Sequence, residues 1–302
     1  MACARRGAAW HDALSSHAVR LLVSILRRHT LYRRAALGAA FAAVVGVAPS
    51  RSDAQRVLNV VAKGASIETP PTVPAGITTV RLTIKGGVRR EVVVHRVPAG
   101  TRPEDLVRGA AGRPERWFDQ WSFGGPAAPR DSAPDATATV DLRPGRYLIV
   151  AYEVDSAGRP RGDKYVWRDV TAMATSILIP DRFAVPDLTV RIKDSNVTVL
   201  GTVRTGQRIV QVENAGARPH ELLIVRLRPG KTIDDVRRWD RDRAESPPFV
   251  YVGGLTPMSS GVTAQTKLLL QSGVHVVLCA MRHGGARERD YQRGVMTSFK
   301  VN

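Results

Sequence analysis

The chain has 302 residues, 43% of them hydrophobic and 6% aromatic, with a formal net charge of +18, which suits two ordinary folded domains with modest cores. Its basic residues are interleaved with acidic ones, as in residues 237–242, and no basic run contains stacking aromatics. The composition therefore argues against specific nucleic-acid binding and favours contact with an acidic surface polymer.

Residues 1–54 have the features of an export leader. Three arginine pairs precede an apolar run over residues 35–48, and the small residues Ser52 and Ala54 follow it. A basic n-region, a short apolar h-region and a small-x-small cleavage site are typical of a secretory signal. The run is shorter than the roughly 20 residues that span a bilayer. We expect a secreted or periplasmic protein with no transmembrane span in its mature chain, while an uncleaved anchor and twin-arginine export remain open.

The cysteines limit the chemistry of the exported chain. The sequence has two cysteines, and Cys3 falls in the leader. The exported chain would keep Cys279 alone, which excludes an intrachain disulfide. An unpaired cysteine in an exported protein indicates metal ligation, burial or an intermolecular bond.

After the leader, the chain repeats one pattern at an offset of about 130 residues. Each copy has two apolar strands, of which the second starts at Arg90 or His220, then a Pro-Gly turn and a short helix with an acidic pair. Paired glycines follow, and later an apolar strand starts at Gly145 or Gly273. An internal repeat of this length indicates duplicated domains rather than a solenoid.

The predicted strands are short and are bounded by Gly, Pro, Asn or Asp, while helical periodicity is confined to two short segments. This pattern predicts an all-β fold of two tandem antiparallel Greek-key β-sandwiches, each with a short helix. We expect the domains to cover residues 55–185 and 186–302, with the linker near Pro180 to Pro186.

Candidate metal ligands lie in two segments of the second copy. Asn214–His220 ends in an imidazole at a strand start, and Gly273–Cys279 ends in a thiol, with His283 four residues further on. These segments resemble the ligand segments of plastocyanin-like cupredoxins, in which an Asn and Gly turn leads to a His and a later strand ends in Cys with His beyond it. The resemblance covers roughly residues 187–302, and the pattern recurs without ligands over roughly 57–180.

The resemblance implies a copper site in the C-terminal domain. His220, Cys279 and His283 would be ligands, and Met296 would be a weak axial ligand before the last strand. A thiolate and two imidazoles with an axial thioether favour copper in electron transfer. The partner implied is a redox protein.

The second copy also departs from the family pattern. Twelve residues separate His283 from Met296, and we expect this polar insert to be a flexible loop. Related proteins with an extended loop commonly carry a His where Arg293 stands, and an arginine beside a cation site would repel the metal. Either His283 completes the site or the site has lost copper.

Two functions therefore remain open. In the first copy, Arg90 and Ala151 stand in the positions of His220 and Cys279, so we predict a domain without metal ligands. The chain is either an exported cupredoxin-like protein that binds copper for single-electron transfer, or a metal-free secreted binding or structural module with the same fold. No local signature of a hydrolase, a metalloprotease or a phosphate-binding loop occurs, so catalysis is not predicted.

Overall fold

The computed structural model describes residues 56–110, 121–127, 135–155, 160–176, 181–239, 246–283 and 286–302. These residues belong to one compact unit that extends over residues 51–302. The predicted leader lies outside the described residues. Neither of the helices described is both long and apolar enough to cross a membrane.

The elements follow one another in two similar series, which we call the first and second halves. In the described part of the first half they are β1 (Arg56–Lys63), β2 (Ser66–Glu68), β3 (Thr72–Pro74), β4 (Gly76–Lys85), β5 (Arg90–Arg96), α1 (Pro103–Ala110), β6 (Pro126–Ala127), β7 (Asp135–Leu142), β8 (Gly145–Val154) and β9 (Pro160–Met173). In the second half they are β10 (Leu188–Lys193), β11 (Asn196–Leu200), β12 (Gly206–Asn214), β13 (His220–Leu227), α2 (Ile233–Arg238), β14 (Phe249–Met258), β15 (Thr263–Leu270), β16 (Gly273–Leu278) and β17 (Met296–Val301).

Local sequence accounts for these elements. In β1, Leu58 and Val60 are fully buried and Asn59 between them is exposed, as expected when successive side chains of a strand point to opposite faces. Helix α2 begins with a capping box, in which the Thr232 hydroxyl accepts a hydrogen bond from N of Asp235 and the Asp235 carboxylate accepts one from N of Thr232. Such boxes satisfy backbone donors that have no partner within the helix.

The strands form two packed layers. One layer is an eight-stranded sheet with the order β11-β10-β12-β15-β7-β4-β1-β2, and the other contains the sheets β17-β16-β13-β14-β6 and β3-β9-β8-β5. Between β4 and β5, and again between β12 and β13, the chain crosses from the first layer to the second, as in a Greek-key sandwich. The predicted all-β sandwich with a short helix in each half is confirmed. The pairs β1–β4 and β10–β12 in the eight-stranded sheet and β3–β9 in the four-stranded sheet are parallel, so these two sheets are mixed rather than wholly antiparallel. The five-stranded sheet is wholly antiparallel.

Both layers continue from one half into the other. In the first layer, β7 pairs with β15 at Thr139 and Gln265. In the second, β6 pairs with β14, and the hydroxyl of Thr256 donates a hydrogen bond of 2.8 Å to the carbonyl oxygen of Val92. The division into domains at residues 185 and 186 stays a prediction, while the halves are packed together as one body.

The largest apolar cluster lies between the layers and draws on both halves, with members that include Leu58, Val80, Val94, Ile149, Val210, Ile224 and Val277. Two smaller clusters lie on the outer faces of the second layer, one beside each helix. Each half therefore buries one face of its second-layer sheet in the shared core and the other face under a helix.

Two glycines at matching positions bring strands close together. A Cβ on Gly125 would lie 2.2 Å from the carbonyl oxygen of Val92, and a Cβ on Gly254 would lie 2.0 Å from that of Leu222. Both contacts are with backbone, which cannot rotate away as a side chain can. The second glycine of each predicted pair is therefore required by close packing of neighbouring chain segments.

His95 on β5 is a buried titratable group in the first half. Its side chain has no exposed surface, and its Nδ1 lies 2.8 Å from Oγ of Ser122. Desolvation by burial lowers the pKa of His95 to about 3, whereas an exposed histidine titrates near about 6.5. The folded protein therefore keeps this imidazole neutral in mild acid.

We expect Gly254→Ala to lower the free energy of unfolding by about 2–3 kcal/mol, because β13 or β14 must move to admit the methyl group. Urea unfolding followed by circular dichroism measures the change. Gly109→Ala is the matched control: nothing lies within 4 Å of a Cβ at this position in α1, so it should stabilise by up to about 1 kcal/mol. Equal effects of the two changes would contradict the close approach.

We also expect His95 to make stability depend on pH. Between about pH 6.5 and about pH 3 the unfolded chain binds a proton at this residue and the folded chain does not, so its contribution falls by about 1.4 kcal/mol for each unit that the pH drops. We would measure the free energy of unfolding across this pH range for the unmodified protein and for His95→Gln. The difference between the two curves gives the contribution of His95. Parallel curves for the two proteins would show that His95 is not the cause.

Candidate metal centre

The ends of two neighbouring strands bring the predicted thiol and imidazole together. β13 and β16 are antiparallel neighbours, so the start of β13 and the end of β16 lie at the same end of the sheet. His220 is the first residue of β13, and Cys279 directly follows β16. Both side chains are fully buried, and Sγ of Cys279 lies 3.6 Å from Nδ1 of His220.

Asn214 holds the turn that leads to His220. Its side-chain oxygen accepts a hydrogen bond of 3.0 Å from N of Gly216. Its amide nitrogen donates to the carbonyl oxygens of Arg218 and Met258, each at 2.9 Å. The predicted Asn and Gly turn is thus fixed from inside by one buried amide.

Asp194, in the turn between β10 and β11, orients the His220 ring. Nε2 of His220 lies 3.3 Å from Oδ1 of Asp194. The same carboxylate accepts hydrogen bonds from N of Ala217 and N of Arg218 at 3.1 Å, and these backbone bonds lower the pKa of Asp194. Because Nε2 faces an ionised carboxylate, Nδ1 is left to face Cys279, an arrangement typical of histidines that bind metals.

The segment after Cys279 folds back against it. N of Tyr291 donates a hydrogen bond of 2.8 Å to the carbonyl oxygen of Cys279, and N of Asp290 donates one of 2.9 Å to that of Met281. The hydroxyl of Tyr291 donates to the carbonyl oxygen of Trp239 at 2.6 Å. Asp290 and Tyr291 have no exposed surface. The predicted polar, flexible insert therefore carries a buried carboxylate in its described part.

One oxygen of Asp290 lies among three of the four predicted ligands, His220, Cys279 and His283. Oδ2 is 3.1 Å from Nε2 of His283, 3.6 Å from Nδ1 of His220 and 3.6 Å from Sγ of Cys279. Ligand atoms of His220, His283 and Asp290 all lie within 4.8 Å of one another. His220, Cys279 and His283 thus each lie within 3.6 Å of one oxygen of Asp290, a carboxylate that the sequence pattern did not identify. The group of mutually close ligand atoms contains Asp290 and not Cys279.

Charge at this cluster is arranged around Asp290. Burial alone would raise the pKa of its carboxyl, but contacts with His220, His283 and Arg293 outweigh burial and hold the pKa well below its usual range. Burial, reinforced by the carboxylates of Glu221 and Asp290, raises the pKa of the Cys279 thiol well above its usual value. Without a metal the cluster therefore holds an ionised carboxylate and a neutral thiol.

Met296 lies away from this cluster. It is the first residue of β17, pairs with Leu278 across the sheet, and packs in the apolar cluster beside α2. Cys279 belongs instead to the cluster between the layers. Neighbouring residues along a strand alternate between faces, so Met296 is on the Leu278 face and Cys279 on the opposite one. Of the four predicted site residues, Met296 is the one that the structure does not bring to the group.

Arg293 contacts the carboxylate on the side away from the donors. Its Nη2 donates a hydrogen bond to Oδ1 of Asp290, while Oδ2 faces His220, Cys279 and His283. The predicted repulsion between Arg293 and a cation is therefore reduced, because an anionic group lies between the guanidinium and the donor atoms.

The first half has a guanidinium at the corresponding place. Arg90 starts β5 as His220 starts β13, and it is 2% exposed. Nη1 of Arg90 donates to the carbonyl oxygen of Ala151 at 3.3 Å, and Nη2 lies 3.5 Å from Oε1 of Glu153. Arg90 and Ala151 match His220 and Cys279 in the sequence repeat. In the first half these two positions are therefore joined by a hydrogen bond from a guanidinium to a backbone carbonyl oxygen.

Neither a family model nor a curated protein matches this chain. Among solved structures, the chain is similar to a reduced auracyanin from the photosynthetic bacterium Roseiflexus castenholzii, at 19% identity over 38% of this chain and 96% of that one, with a TM-score of 0.26. It is similar to a copper-containing nitrite reductase from Thermus scotoductus, at 8% identity over 82% and 61% of the two chains, with a TM-score of 0.24. It is also similar to a blue copper oxidase from Nitrosomonas europaea, at 10% identity over 81% and 85%, with a TM-score of 0.22.

Proposed function

We propose that this chain is an exported cupredoxin-like protein that binds one copper ion through His220, Cys279 and His283 and transfers single electrons. The observation that supports this most is the convergence of three donor atoms. Nδ1 of His220, Sγ of Cys279 and Nε2 of His283 lie 3.6, 3.6 and 3.1 Å from a single oxygen of Asp290. These donors come from two strand ends and a loop, and they face one buried point.

The donor set fits copper in its chemistry. One thiolate and two imidazoles are the ligands that favour copper in electron transfer, and bound copper supplies a one-electron couple. Nε2 of His283 lies 3.1 Å from Oδ2 of Asp290, so its donor atom is directed at the same oxygen as the other two donors.

The protein's own residues would control how the site works. Asp194 keeps Nδ1 of His220 directed at the centre. Cys279 lies in the apolar cluster between the layers, which keeps water from the thiolate. The side chain of His283 is 12% exposed and those of His220 and Asp290 are 0% exposed. His283 is therefore the ligand closest to solvent, and electron exchange with a redox partner protein would pass through it.

A metal-free binding or structural module is the second candidate function. It is favoured by the position of Asp290, whose Oδ2 already occupies the point between the donors while Oδ1 is paired with Arg293. A site that had lost its metal could be stabilised by such an internal ion pair. Residues 1–54 hold eight Arg and two Asp, a net +6 of the chain's +18. The secreted module would therefore keep a net charge of +12, which would suit an acidic surface polymer.

We also propose that residues 1–54 direct export and are then removed. The basic and apolar pattern of residues 1–54 is that of a removable signal, so the exported protein should begin at residue 55. N-terminal sequencing of protein recovered from the periplasm or the medium checks this, and recovery of chains that still begin at Met1 would point to an uncleaved anchor.

We expect copper(II) to bind one ion per chain and to give an intense thiolate-to-copper absorption band, because the Cys279 thiol exchanges its proton for the ion. The visible spectrum of the purified protein during a copper titration measures this. Cys279→Ala should abolish the band.

Met296→Leu is the matched control and should keep the band, since Met296 lies on the opposite face of the sheet from Cys279. Bound copper without a band, or a band that survives in Cys279→Ala, would contradict the proposed ligands. A protein that binds no copper at all would favour the metal-free module.

A further inference from the structure

We infer that Asp290 is the fourth ligand of this copper site and that Arg293 is the residue that positions it. The inference rests on the proposed copper function and deepens it: a charged oxygen ligand takes the place that the sequence pattern assigned to the thioether of Met296. It is carried by three features of Asp290, namely how its backbone is held, how its two oxygens are used, and how much charge it brings.

The backbone of Asp290 is fixed on both sides. Its N donates a hydrogen bond to the carbonyl oxygen of Met281, and its own carbonyl oxygen accepts one from N of Val295, both at 2.9 Å. The neighbouring Tyr291 is bonded to the carbonyl oxygen of Cys279 at 2.8 Å. The loop thus returns the carboxylate to the strand end that carries the thiol, with its position set by main-chain bonds.

The two carboxylate oxygens are used differently. Oδ1 accepts the hydrogen bond from Arg293, and Oδ2 faces the thiol and both imidazoles. A carboxylate that served only to neutralise Arg293 could do so in solvent, where ion pairs of this kind are common. Burial of Asp290 against three donor groups instead points to a ligand, and the bond to Arg293 selects which oxygen faces the ion.

The negative charge of Asp290 would change the reduction potential of the bound copper. A thiolate and a carboxylate together supply two negative charges, which match a divalent ion, whereas a thiolate and a thioether supply one. Soft thioethers favour copper(I), and a hard carboxylate oxygen favours the higher oxidation state. A site with Asp290 as ligand therefore has a lower reduction potential than the same site with methionine.

The test uses the full chain and measures copper(II) affinity by competition with a chelator, together with the reduction potential. Asp290→Asn keeps the size of the side chain and an acceptor for Arg293 but removes the charge. We expect copper(II) affinity to fall at least about tenfold. A tenfold loss confined to copper(II) raises the potential of this one-electron couple by about 59 mV.

Arg293→Gln tests the positioning role, because it removes the guanidinium that holds Oδ1 but keeps the Asp290 side chain itself. The Arg293 side chain is 36% exposed, so the substitution leaves no large buried cavity. We expect a smaller change in the same direction, with partial recovery in Arg293→Lys. Glu288, an exposed acid on the same loop, provides the matched control: Glu288→Gln should change neither affinity nor potential.

The outcomes separate this inference from the function on which it rests. If the unmodified protein binds no copper, both fail. If it binds copper with the thiolate band, but Asp290→Asn leaves affinity and potential unchanged, the copper function stands and the inference is wrong. Tighter copper(II) binding by Asp290→Asn also overturns it, since Asp290 would then compete with the ion for the point between the donors.

Discussion

A carboxylate removed from water is stable only where positive charge or hydrogen-bond donors surround it, and Asp290 imposes this constraint on one end of the sandwich. Arg293 meets one oxygen, and the rings of His220 and His283 approach the other. The strands supply the rigid part of this arrangement, since β13 and β16 fix His220 and Cys279 by their pairing. The loop supplies the rest, and its course depends on where that carboxylate can be buried.

The two halves place different chemical groups at the start of equivalent strands. At the start of β5 the first half places Arg90, a cation attached to the chain, whose guanidinium bonds to backbone oxygens of Ala151 and Gly64. Desolvation lowers the pKa of Arg90, and Glu153 acts against that shift. At the start of β13 the second half places an imidazole, with a thiol and a carboxylate beside it. One half thus carries its positive charge permanently, and the other has a set of donors that a positive ion can join.

Much of the fold and part of the centre follow from local sequence. Alternating apolar residues, turn residues and the acidic helix starts specify strands and helices, and the ends of neighbouring strands place His220 beside Cys279. Asp290 could not be identified, because a polar insert rich in arginine and acid reads as an exposed loop. The neighbouring Tyr291 holds the loop inward: its ring stacks on Trp239, and its hydroxyl donates a hydrogen bond to the carbonyl oxygen of Trp239, 52 positions earlier in the chain. The one sequence signal for this burial was an aromatic residue inside a polar insert. The side of the sheet on which Met296 lies depends on the register of β17 against β16. Side chains alternate along a strand, so a shift of the register by one residue would move Met296 to the other face, and the sequence alone does not fix that register.

The continuous layers give the first half a protective role. Through β7 it pairs with β15 at Gln265, and through β6 it pairs with β14 at Gly254 and Leu255. Unpaired backbone groups at a sheet edge are templates for aggregation with other chains. The first half thus protects these strands of the second half from self-association, and the two halves cannot be separated without cost.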